Sequence, residues 1–136
     1  MKKYKEKKKV LLLGGAGFIG YYLAKYINEI SNYEIAIADN LSRGTMDEGL
    51  SCLLENNDIT FIEADFTEKD SFSLLDDDYD QLYMLASMVG VENTLTHPHE
   101  VIRINTSLIL NTLEWVKNSE IKKIIYTSTS ENYAGT

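Results

Sequence analysis

The run Val10-Leu11-Leu12-Leu13 stops at Gly14, and glycines recur at Gly17 and Gly20 as an amphipathic helical pattern begins. No other stretch restricts the fold as strongly. An apolar run without alternation suits a strand covered on both faces. Glycines at three-residue steps let the backbone turn sharply and let a ligand or a neighbouring segment come close. A helix starting there points unpaired N–H groups and a positive dipole end at the turn, which makes it an anion site. The plainer alternative is a structural bend that binds nothing.

The rest of the chain alternates strand and helix patterns. The first helix is predicted over Phe18–Ile30, with Ile19, Leu23, Ile27 and Ile30 as its buried stripe. A second strand runs from Glu34 to Ala38 and closes on Asp39. A weaker helix covers about 45–56, and a third strand runs from Ile59 to Ala64, ending at Asp65. A short helix is expected over Glu68–Leu75 and a fourth strand over Tyr79–Ala86. Ser87–Thr96 reads as an irregular loop containing Gly90. Pro98 then suits the first turn of a long helix reaching Lys117, striped by Val101, Ile104, Leu108, Ile109, Thr112 and Trp115. A fifth strand, Ile121–Thr127, ends in Ser128-Thr129-Ser130-Glu131. This alternation predicts an α/β fold, a doubly wound parallel sheet of the Rossmann type with about five strands.

Length and charge bound the possibilities. At 136 residues the chain can build one domain with a real core. Six of the 13 basic residues fall in the first nine positions, with only Glu6 opposing them; seven basic and 20 acidic residues remain, a balance of −13. An acidic body argues against nucleic acid as the main partner. Residues 1–9 are expected to form a basic, mobile tail, and 10–136 the domain. No apolar run approaches the roughly 20 residues that span a bilayer. The single cysteine, Cys52, fits a reducing cytoplasm. No spacing suggests a metal site; His97 and His99 flank Pro98 in what reads as a helix-starting turn.

In parallel sheets of this kind, ligands bind beyond the carboxyl ends of the strands. The glycine turn, Asp39, Asp65 and the Ser/Thr/Glu cluster all fall there. Asp39 lies 19 residues after Gly20, close to the roughly 20 expected of a dinucleotide site. Its carboxylate can accept both hydroxyls of an adenosine ribose and would face a 2′-phosphate as a like charge, which favours NAD over NADP. Arg43 pulls the other way, because an arginine is what an NADP site supplies.

Several segments together resemble the NAD-dependent epimerase/dehydratase family, the extended short-chain dehydrogenases that act on nucleotide sugars. They are Gly14–Gly20, Asp39–Ser42, Ala64–Thr67, Leu85–Val91, Asn105 with Asn111–Glu114, and Tyr126–Glu131, in family order across residues 9–135. The resemblance implies an NAD site built on Gly14, Gly17, Gly20, Asp39, Asn40 and Ser42. Backbone N–H groups of Phe18 and Ile19 would meet the pyrophosphate, and Asp65 and Phe66 would frame the adenine. Leu85, Ala86 and Ser87 would pass beside the cofactor, Asn105 would steady it, and Ser128 would face the nicotinamide. Thr129, Ser130 and Glu131 would be catalytic, with Thr129 polarising a sugar oxygen and Glu131 as acid/base. The chain departs from the family at Met84, often a histidine, at Leu108, near a usual glycine, and at Asn132-Tyr133-Ala134, where Val-Tyr-Gly is usual.

The resemblance also implies a base, a tyrosine four residues before a lysine, placed after the fifth strand. The matches Tyr21…Lys25 and Tyr4…Lys8 fall before or beside the glycine turn, far from that strand end, and no such pair follows Tyr126. The expected function is therefore the cofactor-binding portion of an NAD-dependent nucleotide-sugar epimerase or dehydratase, truncated before the substrate lobe and inactive by itself. The expected partners are a nucleotide sugar in the complete protein and further copies of the chain, since a shortened sheet exposes apolar surface. The competing readings are a non-catalytic NAD-sensing module and an interaction domain with a vestigial pocket.

Overall fold

The structure, a computed structural model, describes residues 7–56, 58–129 and 133. Five strands, β1 (Lys8–Leu13), β2 (Tyr33–Asp39), β3 (Ile59–Glu63), β4 (Gln81–Met84) and β5 (Lys123–Tyr126), pair in parallel in the order β3-β2-β1-β4-β5. Between them run α1 (Phe18–Ile30), α2 (Glu48–Leu54), a 3-10 segment (Lys69–Leu74), α3 (Val91–Thr96) and α4 (Pro98–Val116). This is the doubly wound parallel arrangement that the alternating pattern predicts.

β1 explains its own composition. Its register sets Leu11 beside Ala36 of β2 and Leu82 of β4, so it is paired on both edges. Val10 and Leu12 pack with Ala24 and Ile27 of α1 and Leu50 of α2. Leu11 and Leu13 face the opposite layer, with Phe66, Phe72, Tyr79 and Leu108 of α4. All four residues from Val10 to Leu13 are fully buried, which requires an unbroken apolar run.

The structure corrects the sequence reading in several places. The buried face of α1 is Gly20, Ala24 and Ile27, with Leu23 partly covered; Ile19 and Ile30 are exposed. The large residues set the expected stripe, but the small ones let the helix approach. A Cβ on Gly20 would overlap the carbonyl group of Gly15 in the turn. The segment expected to be a loop after β4 contains α3, whose six residues bury nothing and so leave no periodic signal. Gly90 opens it at φ +119°, and His97 separates it from α4, with Pro98 in the first turn of α4 as expected. α4 buries Leu108, Asn111 and Thr112, so a polar residue takes a core position that the apolar stripe does not include.

β1 begins at Lys8, two residues before the expected start. Lys7 pairs with Asp58, and Lys9 pairs with Asp78 at 2.7 Å. Residues 1–6 of the expected tail lie outside the described residues. Tyr79 packs edge-on to Trp115 in the second core layer, and burial pushes its hydroxyl up to about 12.

Asp80 ties three strands at the amino ends of the sheet. It accepts Lys122 Nζ at 2.7 Å and the Lys9 backbone N–H at 3.1 Å, and these bonds hold its pKa below the ordinary carboxylate value. A depressed folded pKa contributes stability above the unfolded value, about 3.9, and that stability is lost as pH falls through the folded value. Thermal midpoints measured from neutral pH downward should therefore drop below about pH 4, and Asp80→Asn should flatten that drop.

Candidate functional site

The carboxyl ends of the five strands open into a cleft of about 880 Å³, within the usual range for a small-molecule site. It lies where strand order reverses: the chain steps from β1 outward to β3, then crosses back to β4 on the other side of β1.

The glycine turn forms its floor. Gly14 N–H donates to the Ala38 carbonyl at 2.7 Å, and Leu85 and Ala86 N–H groups both donate to the Leu13 carbonyl. The turn is thus laced to the ends of β2 and β4. Gly14 sits at φ +82°, and a Cβ there would overlap the Ala86 backbone. Gly17 differs: its backbone is extended, and a Cβ on it would meet nothing within 4 Å. Gly17 also starts α1 without any side-chain cap, and the first turn of α1 holds no acidic residue. α2 shows the contrast, with Asp47 accepting from the Leu50 N–H at 2.8 Å and Glu48 in its first turn. The N-terminus of α1 therefore keeps its donors for something in the cleft.

Asp39 does more than the sequence suggests. Its Oδ2 accepts the Ala16 N–H at 3.0 Å and its Oδ1 accepts the Leu41 N–H at 2.9 Å. The carboxylate thereby holds the glycine turn against β2 and fixes Leu41 at φ +54°. A carboxylate has about four acceptor positions, so each oxygen retains one for a ligand.

Gly14, Gly17, Phe18, Ile19, Gly20, Asp39, Asn40, Ser42, Asp65, Phe66, Leu85, Ala86, Ser87 and Ser128 all line the cleft. Asn105 does not. Its side-chain oxygen accepts the Met88 N–H at 2.8 Å and its NH2 donates to the Met88 carbonyl at 3.0 Å, so it clamps the loop after β4. Asn105 thus stands behind the lining, where it holds the loop that borders the cleft. Phe66 places its ring in the core, edge-on to Phe72 at 5.1 Å, which leaves its backbone for the cleft. Asp65 Oδ1 accepts both the N–H and the hydroxyl of Thr67. Thr129 follows the lining residue Ser128 but is not itself part of the lining. Ser130 and Glu131 lie outside the described residues.

Two lining residues, and the role of a third residue behind the lining, escaped the sequence reading. Arg103 of α4 lines the cleft and pairs with Glu100 at 2.7 Å, a contact that raises the guanidinium pKa. Asn93 of α3 also lines it. Asn111, buried in α4, donates to the Thr67 carbonyl at 2.7 Å and so holds the loop after β3. Tyr21, one of the accidental tyrosine matches, lies beside Gly49 of α2 and away from the lining.

The family model for the NAD dependent epimerase/dehydratase family matches residues 10–136. The chain belongs to that family. It is 33% identical over 129 residues to UDP-N-acetyl-alpha-D-glucosaminuronate decarboxylase of Bacillus cytotoxicus, covering 93% of this chain and 38% of the decarboxylase. Among solved structures it resembles UDP-N-acetylglucosamine 4-epimerase from Methanobrevibacter ruminantium M1, with a TM-score of 0.82 and 30% identity over 97% of this chain and 41% of that one. It also resembles the Bordetella bronchiseptica enzyme WbmF in complex with NAD+, with a TM-score of 0.79 and 26% identity over 92% of this chain and 37% of that one. The chain thus spans less than half the length of the curated relatives it matches, at their N-terminal part.

The epimerase/dehydratase family is NAD-dependent by description, and the residues present suit that cofactor. The uncapped α1 N-terminus and the open space at Gly17 suit a pyrophosphate. The spare acceptor positions of Asp39 suit ribose hydroxyls.

Proposed function

We propose that this chain is the cofactor-binding portion of an NAD-dependent nucleotide-sugar epimerase or dehydratase, and that the 136 residues bind NAD without turning a sugar over. The observation that carries this is the α1 N-terminus, uncapped, at the floor of a cleft whose Gly17 leaves room for a phosphate. In this reading Phe18 and Ile19 N–H groups hold the pyrophosphate, and Asp39 holds the adenosine ribose. Asp65 and the Phe66 backbone border the adenine. Leu85, Ala86 and Ser87 line the path toward the nicotinamide, with Ser128 at the far end. NAD would supply, when bound, an acceptor for the hydride that leaves the sugar carbon bearing the oxidised hydroxyl, C4 by the family's pattern, while the hydroxyl loses its proton.

Thr129 would hydrogen-bond a sugar oxygen, and Glu131, with Ser130 between them, would hold or release a proton there. No tyrosine stands four residues before a lysine after β5 in the 136 residues, so the base for hydroxyl oxidation is missing from this chain. The complete protein would take a nucleotide sugar, work in the cytoplasm and self-associate; Ile124 and Tyr126 on edge strand β5 and Ile102 and Leu110 on α4 are exposed apolar surface of the kind such contacts cover.

Calorimetry with NAD tests the reading. The chain should bind NAD, and Gly17→Ala should weaken binding by at least about tenfold, the cost of displacing one charge-assisted phosphate contact. The same variant should keep the wild-type melting temperature, because the added methyl meets no protein atom. Absence of binding at millimolar NAD would overturn the reading, as would turnover of a nucleotide sugar by the 136-residue chain.

A further inference from the structure

α1 carries a second apolar face that the fold leaves uncovered. Gly20, Ala24 and Ile27 pack its first face on the sheet. Turned away from the sheet, Tyr22, Tyr26 and Ile30 are 54%, 58% and 62% exposed. Their four-residue steps set them in one row along the helix. Tyr22 is fixed in that row by ring contacts, with centroids 4.9 Å from Phe18 and 5.1 Å from Tyr21. Single apolar residues at a surface are ordinary, but a contiguous row of large ones marks a contact surface.

Charge beside the row selects the occupant. Lys25 and Glu29 are exposed along one flank of it, and neither enters an ion pair among the described residues. A partner of single-sign charge would satisfy only one of the two. A second copy of the same helix satisfies both. When a helix meets an antiparallel copy of itself about a two-fold axis, the same flank of each copy comes together. With the axis level with Ile27, Lys25 of each copy stands opposite Glu29 of the other. The same register sets Tyr26 against Tyr26 across the axis and lets Ile30 enter the gap between Tyr22 and Tyr26 of the other copy. One register therefore pairs the charges and covers the apolar row.

We propose that α1 is a self-association surface, on which two copies of this chain pair antiparallel. Tyr22, Tyr26 and Ile30 form the buried seam, and Lys25 and Glu29 form opposite-charge pairs along one edge of it. Phe18 and Ile19, in the first turn of α1, lie beyond the overlap of the two helices. The surface is separate from the exposed apolar residues of β5 and α4.

Sedimentation velocity of the 136-residue chain tests this, run from roughly 1 μM to 1 mM, the range in which a contact of one helix per copy assembles. A monomer–dimer equilibrium is expected. Tyr26→Glu should weaken dimerisation by at least about tenfold, because it sets two carboxylates in the seam. Lys25→Glu and Glu29→Lys should each weaken it by roughly fivefold, as attractive pairs become repulsive ones. The double variant K25E/E29K restores both pairs and should return the affinity to within about twofold of wild type. All three positions are exposed, so thermal melts of the variants in dilute solution should match wild type. A monomer throughout that range overturns the proposal. So does a dimer that Tyr26→Glu leaves intact, or one whose affinity the double variant fails to restore, since either result places the contact on another face.

Discussion

Replacing Gly14 with alanine should cost the fold about 3 kcal/mol, combining a left-handed backbone at roughly 1–2 kcal/mol with overpacking at roughly 1–3 kcal/mol. Gly14 lies at φ +82°, where a side chain is strained whatever the space, and the added Cβ would overlap the backbone N and Cα of Ala86. The obstacle cannot move aside easily. Ala86 N–H is fixed to the Leu13 carbonyl at 2.8 Å, and Gly14 N–H is fixed to Ala38 at 2.7 Å. Relief would require β1 and β4 to separate at the centre of the sheet. Chemical denaturation should show the loss directly, with a melting temperature lower by about 10 °C or more. A Gly14→Ala protein as stable as wild type would mean that the turn is not laced to β4 as described. Comparison with Gly17→Ala is informative, because the two glycines differ by three positions and do opposite jobs: one yields space to the protein, the other to a ligand.

Loss of the Asp39 carboxylate should act on both stability and binding. Asp39→Ala leaves the Ala16 and Leu41 N–H groups without their acceptor, and Leu41 at φ +54° without the bond that holds it there. Each orphaned donor costs about 1–3 kcal/mol, and partial exposure places these at the lower end, about 2 kcal/mol together. The cofactor effect is expected to be larger. Two ribose hydroxyl bonds to a charged acceptor are worth roughly 1.5–3 kcal/mol each, so NAD affinity should fall by roughly 100-fold or more. Denaturation curves and calorimetry on the same preparation separate the two effects. A variant that is less stable yet binds NAD as wild type does while folded would assign Asp39 to the turn alone.

The fold was legible in the sequence wherever an element buries large apolar side chains. β1 could be read because both its faces are covered, and α4 because its apolar residues recur over nineteen positions. Legibility failed where small or polar residues decide the packing. Gly20 and Ala24 turn the buried face of α1 away from Ile19 and Ile30, since closeness to the turn matters more there than side-chain volume. α3 is short and buries no side chain, so its amphipathic pattern is absent rather than weak.

The lining of the cleft was legible for a related reason. Glycines at the first turn, an acid after β2 and polar clusters after β3 and β5 each follow an apolar strand, and parallel strands bring their carboxyl ends together wherever they pair. What each residue does there was less legible. Asn105 was expected to steady the cofactor, and what the structure adds is its grip on the Met88 backbone, through both polar atoms of its side chain. Asn111 performs the equivalent task for Thr67, so α4 grips the two loops that bracket the cleft.

By itself, then, the sequence determined the succession of the five strands and of the helices that bury apolar side chains, the turn, and the acid at the end of β2. These are local properties: burial on both faces demands an apolar run, and a sharp turn demands glycine. The tertiary structure alone decided the partners. Asp39 bonds Ala16 across 23 positions of sequence, and Gly44 abuts that same turn. Such contacts depend on how the sheet brings distant segments into register, and no local spacing encodes a hydrogen bond between residues that meet only after β1 and β2 have paired.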